Sequence, residues 1–223
     1  MNELPATREE MLTFLRESDI SDSRVMDAMA AVPRDEFVPP DVRHLAYGGS
    51  PLAIGHGQTI SSPFIVASMT ELLELQGDEK VLEIGTGCGY QTAVLCEVIK
   101  EVWSIEIVPE VAAMGASNLA RLGYSPKLKL GDGSDGWADQ APFDRVFLTA
   151  TSPRIPPGLL DQLKVGGMAL GPEREDPERG HGDGGSEVLV RYVRTAQGFE
   201  RSVIYGVRFV PMTGKTRGRA PGA

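Results

Sequence analysis

The segment "VLEIGTGCGY" constrains the fold more than any other, because it places three glycines between a predicted strand and a predicted helix. The strand covers residues 80–85, the glycines are Gly85, Gly87 and Gly89, and the helix starts at position 90. Glycine permits the tight turn that such a connection needs, and it lets a ligand contact the backbone. The N-terminus of the helix offers free N–H groups. The segment therefore predicts a strand–helix unit with a ligand site at the carboxyl end of the strand.

Strands and helices continue to alternate after this glycine motif. The predicted elements are a helix at 90–99, a strand at 101–106, a helix at 109–123 and strands at 127–132 and 144–150. This alternation predicts an α/β fold with a doubly wound, mostly parallel sheet and helices on both faces. Two late strands with no helix between them predict a C-terminal antiparallel pair. Helical patterns at 7–17, 22–31 and from Pro63 to a stop at Gly77 predict an N-terminal helical extension. Thr7 and Glu10 predict a capping box for the first helix, and Ser62 or Ser61 is the expected cap of the third.

The acid beside the glycine motif distinguishes between two classes of ligand. A dinucleotide motif has the spacing G-x-G-x-x-G, but here the third glycine comes one residue early and Tyr90 follows it. Glu83 lies two residues before Gly85, where a carboxylate would repel a pyrophosphate and attract a cation. S-adenosylmethionine carries a sulfonium and an ammonium group and no phosphate, so it suits this motif better than a dinucleotide does.

Two further acids end the next two strands. Glu106 ends its strand 21 residues after Gly85 (106 − 85), where a carboxylate can accept both hydroxyls of a ribose. Asp132 and Gly133 follow the third strand, where an adenine amino group would lie. Carboxyl ends of parallel strands meet at one edge of a sheet, so these residues predict one crevice. One such acid alone could equally be a solvated residue at the end of a strand. Three acids with this glycine spacing are explained better by a ligand site.

Composition narrows the class of partner. The net charge of −9 (22 − 31) argues against binding to a nucleic-acid backbone, and the basic tail from Lys215 is expected to be frayed and solvated. Two cysteines, Cys88 and Cys96, predict a reducing compartment, and together with three scattered histidines they predict no metal site. We see neither a signal-peptide pattern nor an apolar run that could cross a membrane, so no membrane association is expected.

Four stretches of the chain resemble the protein-L-isoaspartate O-methyltransferase family. They are "VPRDEFVPPDVRHLAYGGSPLAIGHGQTISSPFIVASMTELLEL", "VLEIGTGCGYQTAVL", "GDGSDGWADQAPFDRVFLTATSPRIPPGLLDQLKVGGMAL" and "VRFVPMTG", and the similarity runs from residue 7 to residue 214. Many methyltransferases share the glycine motif. The segment "GQTIS" at 57–61 is more restrictive, and the identification rests on it.

This resemblance implies a Rossmann-like methyltransferase fold and a protein-L-isoaspartate (D-aspartate) O-methyltransferase activity. Such an enzyme transfers a methyl group from S-adenosyl-L-methionine to the free α-carboxylate of L-isoaspartyl residues in damaged proteins or peptides, which starts repair through a succinimide. The resemblance also implies isoaspartyl-containing proteins and peptides as partners. We further expect a monomer and a cytoplasmic location.

Ser61 is the catalytic residue that the resemblance implies. Motif reasoning and resemblance together predict two binding sets. The cofactor-binding set is Gln58, Thr59, Ile60, Ser61, Glu83, Gly85, Thr86, Gly87, Cys88, Glu106, Ile107, Asp132, Gly133 and Thr213. The substrate-binding set is Ile54, His56, Ser61, Val207, Arg208, Phe209 and Val210.

The chemistry of the reaction explains why these side chains are small and polar. A carboxylic acid with a pKa of about 4 is already ionised at neutral pH, so the nucleophile needs no general base. Ser61 is expected to aim the substrate carboxylate by a hydrogen bond. His56 is expected to position or pack, and Cys88 to fit against the ligand rather than to act as a nucleophile. Val207–Val210 are expected to contact an extended peptide through the backbone.

Two departures from the family pattern leave the substrate open. Family members usually have Tyr-x-Asp where this chain has Tyr47, Gly48 and Gly49, and the loop at 172–186 is long, charged and without the usual Gly-Gly-Gln. One alternative is a specialised relative that methylates an aspartate of a dedicated ribosomal peptide to form aspartimide. An RNA methyltransferase is disfavoured by the net charge, and a non-catalytic binding module by the intact Ser61 and glycine motif.

A chain of 223 residues suits one domain, so we predict a single S-adenosylmethionine-dependent methyltransferase domain over 1–223. Its predicted regions are an N-terminal helical and substrate-loop region at 1–78, a cofactor-binding core at 79–171, a mobile loop at 172–186, C-terminal strands at 187–214 and a tail at 215–223.

Overall fold

The structure, a computed structural model, describes residues 6–176 and 186–215. These residues form two compact units. The first unit contains the described residues up to Asp78, with Thr86–Val102 and Pro109–Lys127. The second unit contains Glu79–Gly85, Trp103–Val108 and the described residues from Leu128 onward. The single domain and its five regions stay a prediction.

Helices dominate the first unit. They are α1 (Arg8–Glu17), α2 (Ser23–Ala31), α3 (Pro63–Leu72), α4 (Tyr90–Val98) and α5 (Pro109–Arg121). The predicted capping box at the start of α1 is confirmed, because Thr7 Oγ1 accepts from the Glu10 N–H (3.2 Å) and Glu10 Oε2 accepts from the Thr7 N–H (3.0 Å). Ser62 caps α3, and Pro63 is its first residue, as predicted. The helix ends at Leu72 and not at the predicted stop, Gly77, because the chain turns at Glu74, which has a φ of 52°.

The segment between α2 and α3, for which no helix or strand was predicted, contains both. The turn-rich stretch after Pro33 forms two 3₁₀ helices, at Arg34–Phe37 and Pro40–Leu45. The polar loop that follows contains an antiparallel hairpin of β1 (Leu52–Gly55) and β2 (Gln58–Ile60). Strands of four and three residues are too short for alternation to reveal them.

A seven-stranded sheet is the framework of the second unit, with the order β5-β4-β3-β6-β7-β8-β9. The strands are β3 (Lys80–Ile84), β4 (Glu101–Glu106), β5 (Lys127–Leu130), β6 (Phe143–Leu148), β7 (Leu163–Arg174), β8 (Glu187–Thr195) and β9 (Gly198–Val207), and a short helix, α6 (Pro157–Leu160), precedes β7. β6 pairs in parallel with β3 and with β7, whereas β7, β8 and β9 are antiparallel. The predicted Rossmann-like methyltransferase fold, with a mostly parallel sheet and C-terminal antiparallel strands, is confirmed.

The apolar core of the second unit explains why the central strands read as continuous hydrophobic runs. Leu82, Val146, Leu148 and Ala169 lie on adjacent strands, and each is completely buried. A sheet buried on both faces needs apolar side chains at successive positions and not only at alternate ones. Among the described helices, none has both the length and the apolar character needed to cross a membrane.

The predicted mobile loop at 172–186 needs a correction at its start. β7 continues to Arg174, because Pro172 pairs with Leu189 and Arg174 pairs with Glu187 on β8. The local sequence has proline and charged residues there, so the strand was not expected to extend so far. Positions 177–185 of this predicted loop and positions 216–223 of the predicted tail lie outside the described residues.

Candidate functional site

The ends of three neighbouring strands meet at one edge of the sheet. The Gly85 N–H, directly after β3, donates to the Ile105 carbonyl near the end of β4 (2.8 Å). The Gly131 N–H, directly after β5, donates to the Glu106 carbonyl (2.8 Å). The structure therefore brings Gly85, Glu106 and Asp132 to one edge of the second unit, as the predicted crevice required.

Gly85 has no room for a side chain. Its φ of 103° lies in the region that favours glycine, and a Cβ there would collide with Oγ1 of Thr149. That hydroxyl lies 3.0 Å from the Ile84 carbonyl and 2.9 Å from the Gly85 carbonyl, so it holds the end of β3. Gly133, after β5, is equally confined, because a Cβ there would collide with Ile84. At both positions another side chain already fills the space beside Cα, so only glycine fits there.

The rest of the glycine motif lies in the first unit, where α5 supports it. The Gly89 N–H donates to the Thr86 carbonyl (2.9 Å), which closes the turn ahead of α4. Asn118 donates from Nδ2 to the Cys88 carbonyl (3.0 Å). Gly115, inside α5, approaches the turn so closely that a Cβ there would lie 2.6 Å from the Gly87 carbonyl oxygen. Contacts to the backbone therefore hold the motif in shape.

Glu83 and Glu106, two of the three predicted acids, accept hydrogen bonds from groups of the second unit. Glu83 is completely buried, and its Oε2 accepts a hydrogen bond from Oγ of Ser104 (2.6 Å). Glu106 turns its Oε1 back onto the chain and accepts from the N–H groups of Ile107 (2.9 Å) and Val108 (3.0 Å). Such bonds fix the orientation of the Glu106 carboxylate before any ligand arrives.

Asp132 is engaged on both carboxylate oxygens. Oδ1 accepts from the N–H and hydroxyl of Ser134 (2.9 and 2.7 Å), and Oδ2 accepts from the Lys215 N–H (2.8 Å). A Cβ at Gly214 would collide with this carboxylate, so the segment that follows Thr213 lies directly against Asp132. Burial alone would raise the pKa of Asp132, but the bonds from Lys215 and Ser134 outweigh it and the pKa is lowered. Asp132 is therefore a charged anchor for that segment.

The β1–β2 hairpin presents polar groups around buried apolar anchors. Ile54 and Ile60 are buried, whereas His56 is exposed at the turn, where it has a φ of 52° between two glycines of positive φ. Ile54 reaches the glycine motif, since its Cδ1 lies 3.9 Å from the position that a Cβ on Gly87 would take. Gln58 is half-buried and Thr59 is exposed.

Ser61 follows the hairpin and is half-buried. Its carbonyl accepts a short hydrogen bond from Nη2 of Arg34 (2.6 Å). Its hydroxyl has no hydrogen-bond partner within residues 6–176 and 186–215. The backbone of Ser61 is thus held while its side-chain donor remains available.

The predicted substrate wall at Val207–Val210 uses part of its backbone internally. The Phe209 N–H donates to Oε2 of Glu187 (2.8 Å), and the Val210 carbonyl accepts from the Thr151 N–H (2.8 Å). Both backbone groups are therefore already hydrogen-bonded within the second unit. We therefore expect a bound peptide to pair only with the remaining backbone groups of this segment, such as those of Arg208.

Sequence reasoning missed the residues that support the site. Arg34, Thr149 and Asn118 gave no signal, because each acts on a backbone group far along the chain: 27 residues separate Arg34 from Ser61. Gly115 did leave a signal, since a glycine inside a helical pattern often marks a close approach. In the part of the chain that the structure describes, no group of three or more histidine, cysteine or acidic side chains could hold a metal ion.

Comparison with known proteins gives consistent matches over most of the chain. Residues 6–217 match the family model "Protein-L-isoaspartate(D-aspartate) O-methyltransferase (PCMT)". The chain is 48% identical over 209 residues to the protein-L-isoaspartate O-methyltransferase of Myxococcus xanthus. The aligned region covers 91% of this chain and 94% of that protein. Identity to the Vibrio atlanticus protein of the same name is 45% over 205 residues, covering 92% and 94%.

Solved structures show the same fold. One protein-L-isoaspartate O-methyltransferase superposes with a TM-score of 0.81 at 26% identity, covering 94% of this chain and 67% of that one. A Plasmodium falciparum protein, solved in complex with S-adenosyl-L-homocysteine, superposes with a TM-score of 0.78 at 21% identity, covering 94% of this chain and 99% of that one.

Proposed function

Because the chain belongs to the protein-L-isoaspartate(D-aspartate) O-methyltransferase family, we propose that it starts the repair of damaged proteins by methylating them. It transfers a methyl group from S-adenosyl-L-methionine to the free α-carboxylate of L-isoaspartyl residues. The ester then closes to a succinimide, which hydrolyses partly to normal aspartate. The family match across residues 6–217 carries this conclusion, since it includes both the glycine motif and "GQTIS". The relatives give no support to the dedicated peptide aspartate methyltransferase.

The residues present fit S-adenosylmethionine. Gly85 and Gly133 carry no side chain that could cover their own backbone groups, and a ligand that approaches this edge can therefore contact the backbone closely. When bound, this cofactor supplies a methyl group on a positively charged sulfur. We assign cofactor contacts to the motif residues Thr86, Gly87 and Cys88, to the hairpin residues Gln58, Thr59 and Ile60, and to Ile107 and Thr213. We also assign Glu83 to the cofactor site as the acid beside Gly85; it is buried and accepts a hydrogen bond from Ser104.

Glu106 is assigned to the ribose hydroxyls, because two N–H groups already fix its carboxylate. Glu106→Ala should weaken cofactor binding by about 1.5–3 kcal/mol, the usual worth of hydrogen bonds to a charged group. Calorimetric titration with S-adenosylmethionine measures the change. An affinity equal to that of the unaltered protein would contradict the ribose assignment.

Asp132 and Gly133 are assigned to the adenine end of the cofactor. A carboxylate oxygen can accept two hydrogen bonds, and within the described residues Oδ2 of Asp132 accepts one, from the Lys215 N–H. One acceptor position is therefore left for an amino group. The lowered pKa of Asp132 keeps this acceptor ionised at neutral pH.

Ser61 serves the substrate by orientation. An isoaspartyl α-carboxylate is ionised at neutral pH, so no side chain has to remove a proton before it attacks. The Ser61 hydroxyl is half-buried and without a partner in the described chain, so it can donate to that carboxylate and hold one oxygen in line with the methyl group. His56, exposed at the hairpin turn, contacts the substrate without acting as a base.

Ser61→Ala should lower kcat on an isoaspartyl peptide about 10- to 100-fold, since one hydrogen bond to a charged group is lost. Affinity for S-adenosylmethionine should stay within about threefold, because the hydroxyl is assigned to the substrate. Ser202→Ala, which removes an exposed hydroxyl on β9, is the matched control and should change neither quantity. An equal loss of cofactor affinity in Ser61→Ala would place Ser61 in the cofactor site instead.

The function itself is tested with two peptides that differ only in an isoaspartyl or an aspartyl linkage. Transfer of a radiolabelled methyl group should occur to the isoaspartyl peptide alone. Preference for the aspartyl twin would favour a dedicated peptide methyltransferase. Cofactor binding without transfer to either peptide would favour a non-catalytic module.

We also propose that the protein works as a monomer in the cytoplasm and does not bind nucleic acid. Cys88 and Cys96 are not joined by a disulfide in the described part of the chain, which is compatible with a reducing compartment, and the net charge of −9 disfavours a phosphate backbone. Light scattering should give a mass near 24.0 kDa, and a value near twice that would refute the monomer.

A further inference from the structure

We propose that Arg34 is a positioning residue that holds Ser61 in place relative to the glycine motif, an inference that rests on the function proposed above. Arg34 is completely buried. Its Nη2 donates to the Ser61 carbonyl (2.6 Å), and its Nε donates to the Ala46 carbonyl (2.6 Å). Its guanidinium carbon lies 4.7 Å from the centre of the Tyr90 ring. One side chain therefore joins the catalytic segment to the first residue of α4.

The two carbonyls that Arg34 binds lie on either side of the β1–β2 hairpin. Ala46 precedes β1 (Leu52–Gly55), and Ser61 directly follows β2 (Gln58–Ile60). The planar guanidinium presents several N–H donors in a rigid fork, so it can hold two acceptors at once. Lysine has one nitrogen on a flexible stem and lacks that geometry. Arg34 thus connects Ala46 and Ser61, the residues before and after the hairpin, through hydrogen bonds to their carbonyls.

Tyr90 supplies the second half of this connection. It directly follows Gly89, the third glycine of the motif, and it is the first residue of α4. Phe37 packs its ring edge-on against the Tyr90 ring (5.6 Å between centroids, 67° between planes). The Tyr90 hydroxyl donates to Sδ of Met29 (3.7 Å). The ring is therefore fixed, and its face attracts the Arg34 cation.

Stability alone explains Arg34 poorly. A buried charge is costly unless an opposite charge or hydrogen bonds compensate it, and within the described chain no carboxylate pairs with Arg34. Nη1 is also buried without a hydrogen-bond partner among the described residues. Burial lowers the pKa of Arg34, and the nearby Tyr90 and Cys88 only partly oppose that effect. An apolar side chain would fill the space at lower cost, but it could not hold the Ser61 carbonyl.

Arg34→Met should lower kcat on an isoaspartyl peptide about 10- to 100-fold, because a small displacement of Ser61 is enough for such a loss. Affinity for S-adenosylmethionine should fall less than kcat does, because only Gln58, Thr59 and Ile60 among the assigned cofactor contacts lie in the segment that Arg34 holds. Arg34→Lys should not restore kcat, because it keeps the charge but loses the fork. Tyr90→Leu should lower kcat as well, and the double variant should lose less than the product of the two single losses.

Hydrogen exchange measures the displacement directly and needs no substrate. Amides of residues 47–62 should exchange faster in Arg34→Met than in the unaltered protein, while those of α1 keep their rates. Leu15→Ala is the matched control, because Leu15 is completely buried in α1 and its side chain has no group that could hydrogen-bond to Ser61. It should lower the Tm yet retain kcat at a temperature where the protein is folded.

Folded Arg34→Met with normal kcat and normal exchange at 47–62 would overturn the proposal. Faster exchange throughout the first unit, matched by Leu15→Ala, would also overturn it, because Arg34 would then be only structural. If the unaltered protein fails to methylate the isoaspartyl peptide, the proposed function is wrong, whereas the exchange result still decides whether Arg34 holds Ser61.

Discussion

Gly115→Ala should weaken S-adenosylmethionine binding about tenfold or more, although alanine normally stabilises a helix over glycine by about 1 kcal/mol. Gly115 lies inside α5, and a Cβ there would be 2.6 Å from the Gly87 carbonyl oxygen and 3.2 Å from Cγ2 of Thr86. Overpacking of this kind costs about 1–3 kcal/mol when backbone has to move. The backbone that must move is the glycine motif, so the loss should appear in cofactor affinity, measured by calorimetric titration.

Gly158→Ala is the matched control for this substitution. Gly158 lies in α6, and the nearest atom to its Cβ position, the Ser134 carbonyl oxygen, is 3.9 Å away. The control should leave cofactor affinity unchanged. Normal affinity in a folded Gly115→Ala protein would mean that the motif can move without loss, and the assignment of Thr86 and Gly87 to the cofactor would fall.

Glu173→Ala should lower the free energy of unfolding by about 2–5 kcal/mol, because the Ile155 N–H, the Tyr192 hydroxyl and the partly buried Arg201 all lose their acceptor. Glu173 is completely buried at the end of β7. Its Oε2 accepts from Nε and Nη2 of Arg201 (3.0 and 2.9 Å), and its Oε1 accepts from the Tyr192 hydroxyl (2.9 Å) and the Ile155 N–H (2.8 Å). Burial would lower the pKa of Arg201, but Glu173 outweighs it and the pKa is raised.

Urea denaturation measures this loss, and Asp135→Ala is the control. Asp135 also pairs with a cation, Lys215 (2.6 Å), but both side chains are well exposed, so its removal should cost less than about 1 kcal/mol. Similar losses for the two variants would show that Glu173 contributes no more than a surface pair.

Elements with strong local signals were predicted correctly. The strand at 101–106 matches its predicted range, and the capping box at Thr7 forms as expected, because alternation and capping depend on neighbouring residues. The β1–β2 hairpin and the extension of β7 to Arg174 were missed. Both are stabilised by pairing with another strand, and a local pattern does not show that pairing.

The amino-acid sequence was sufficient for the family, the class of fold and the class of cofactor, because the glycine motif, the strand-end acids and "GQTIS" are short stretches whose chemistry can be read from residue type and spacing. Folding alone decided which groups support them. It placed the Arg34 guanidinium on the Ser61 carbonyl, the bare Gly115 backbone behind Gly87, and Glu187 on the Phe209 N–H. Each of these contacts joins residues distant along the chain, and periodicity indicates which side of an element is buried but not which atom it will meet there.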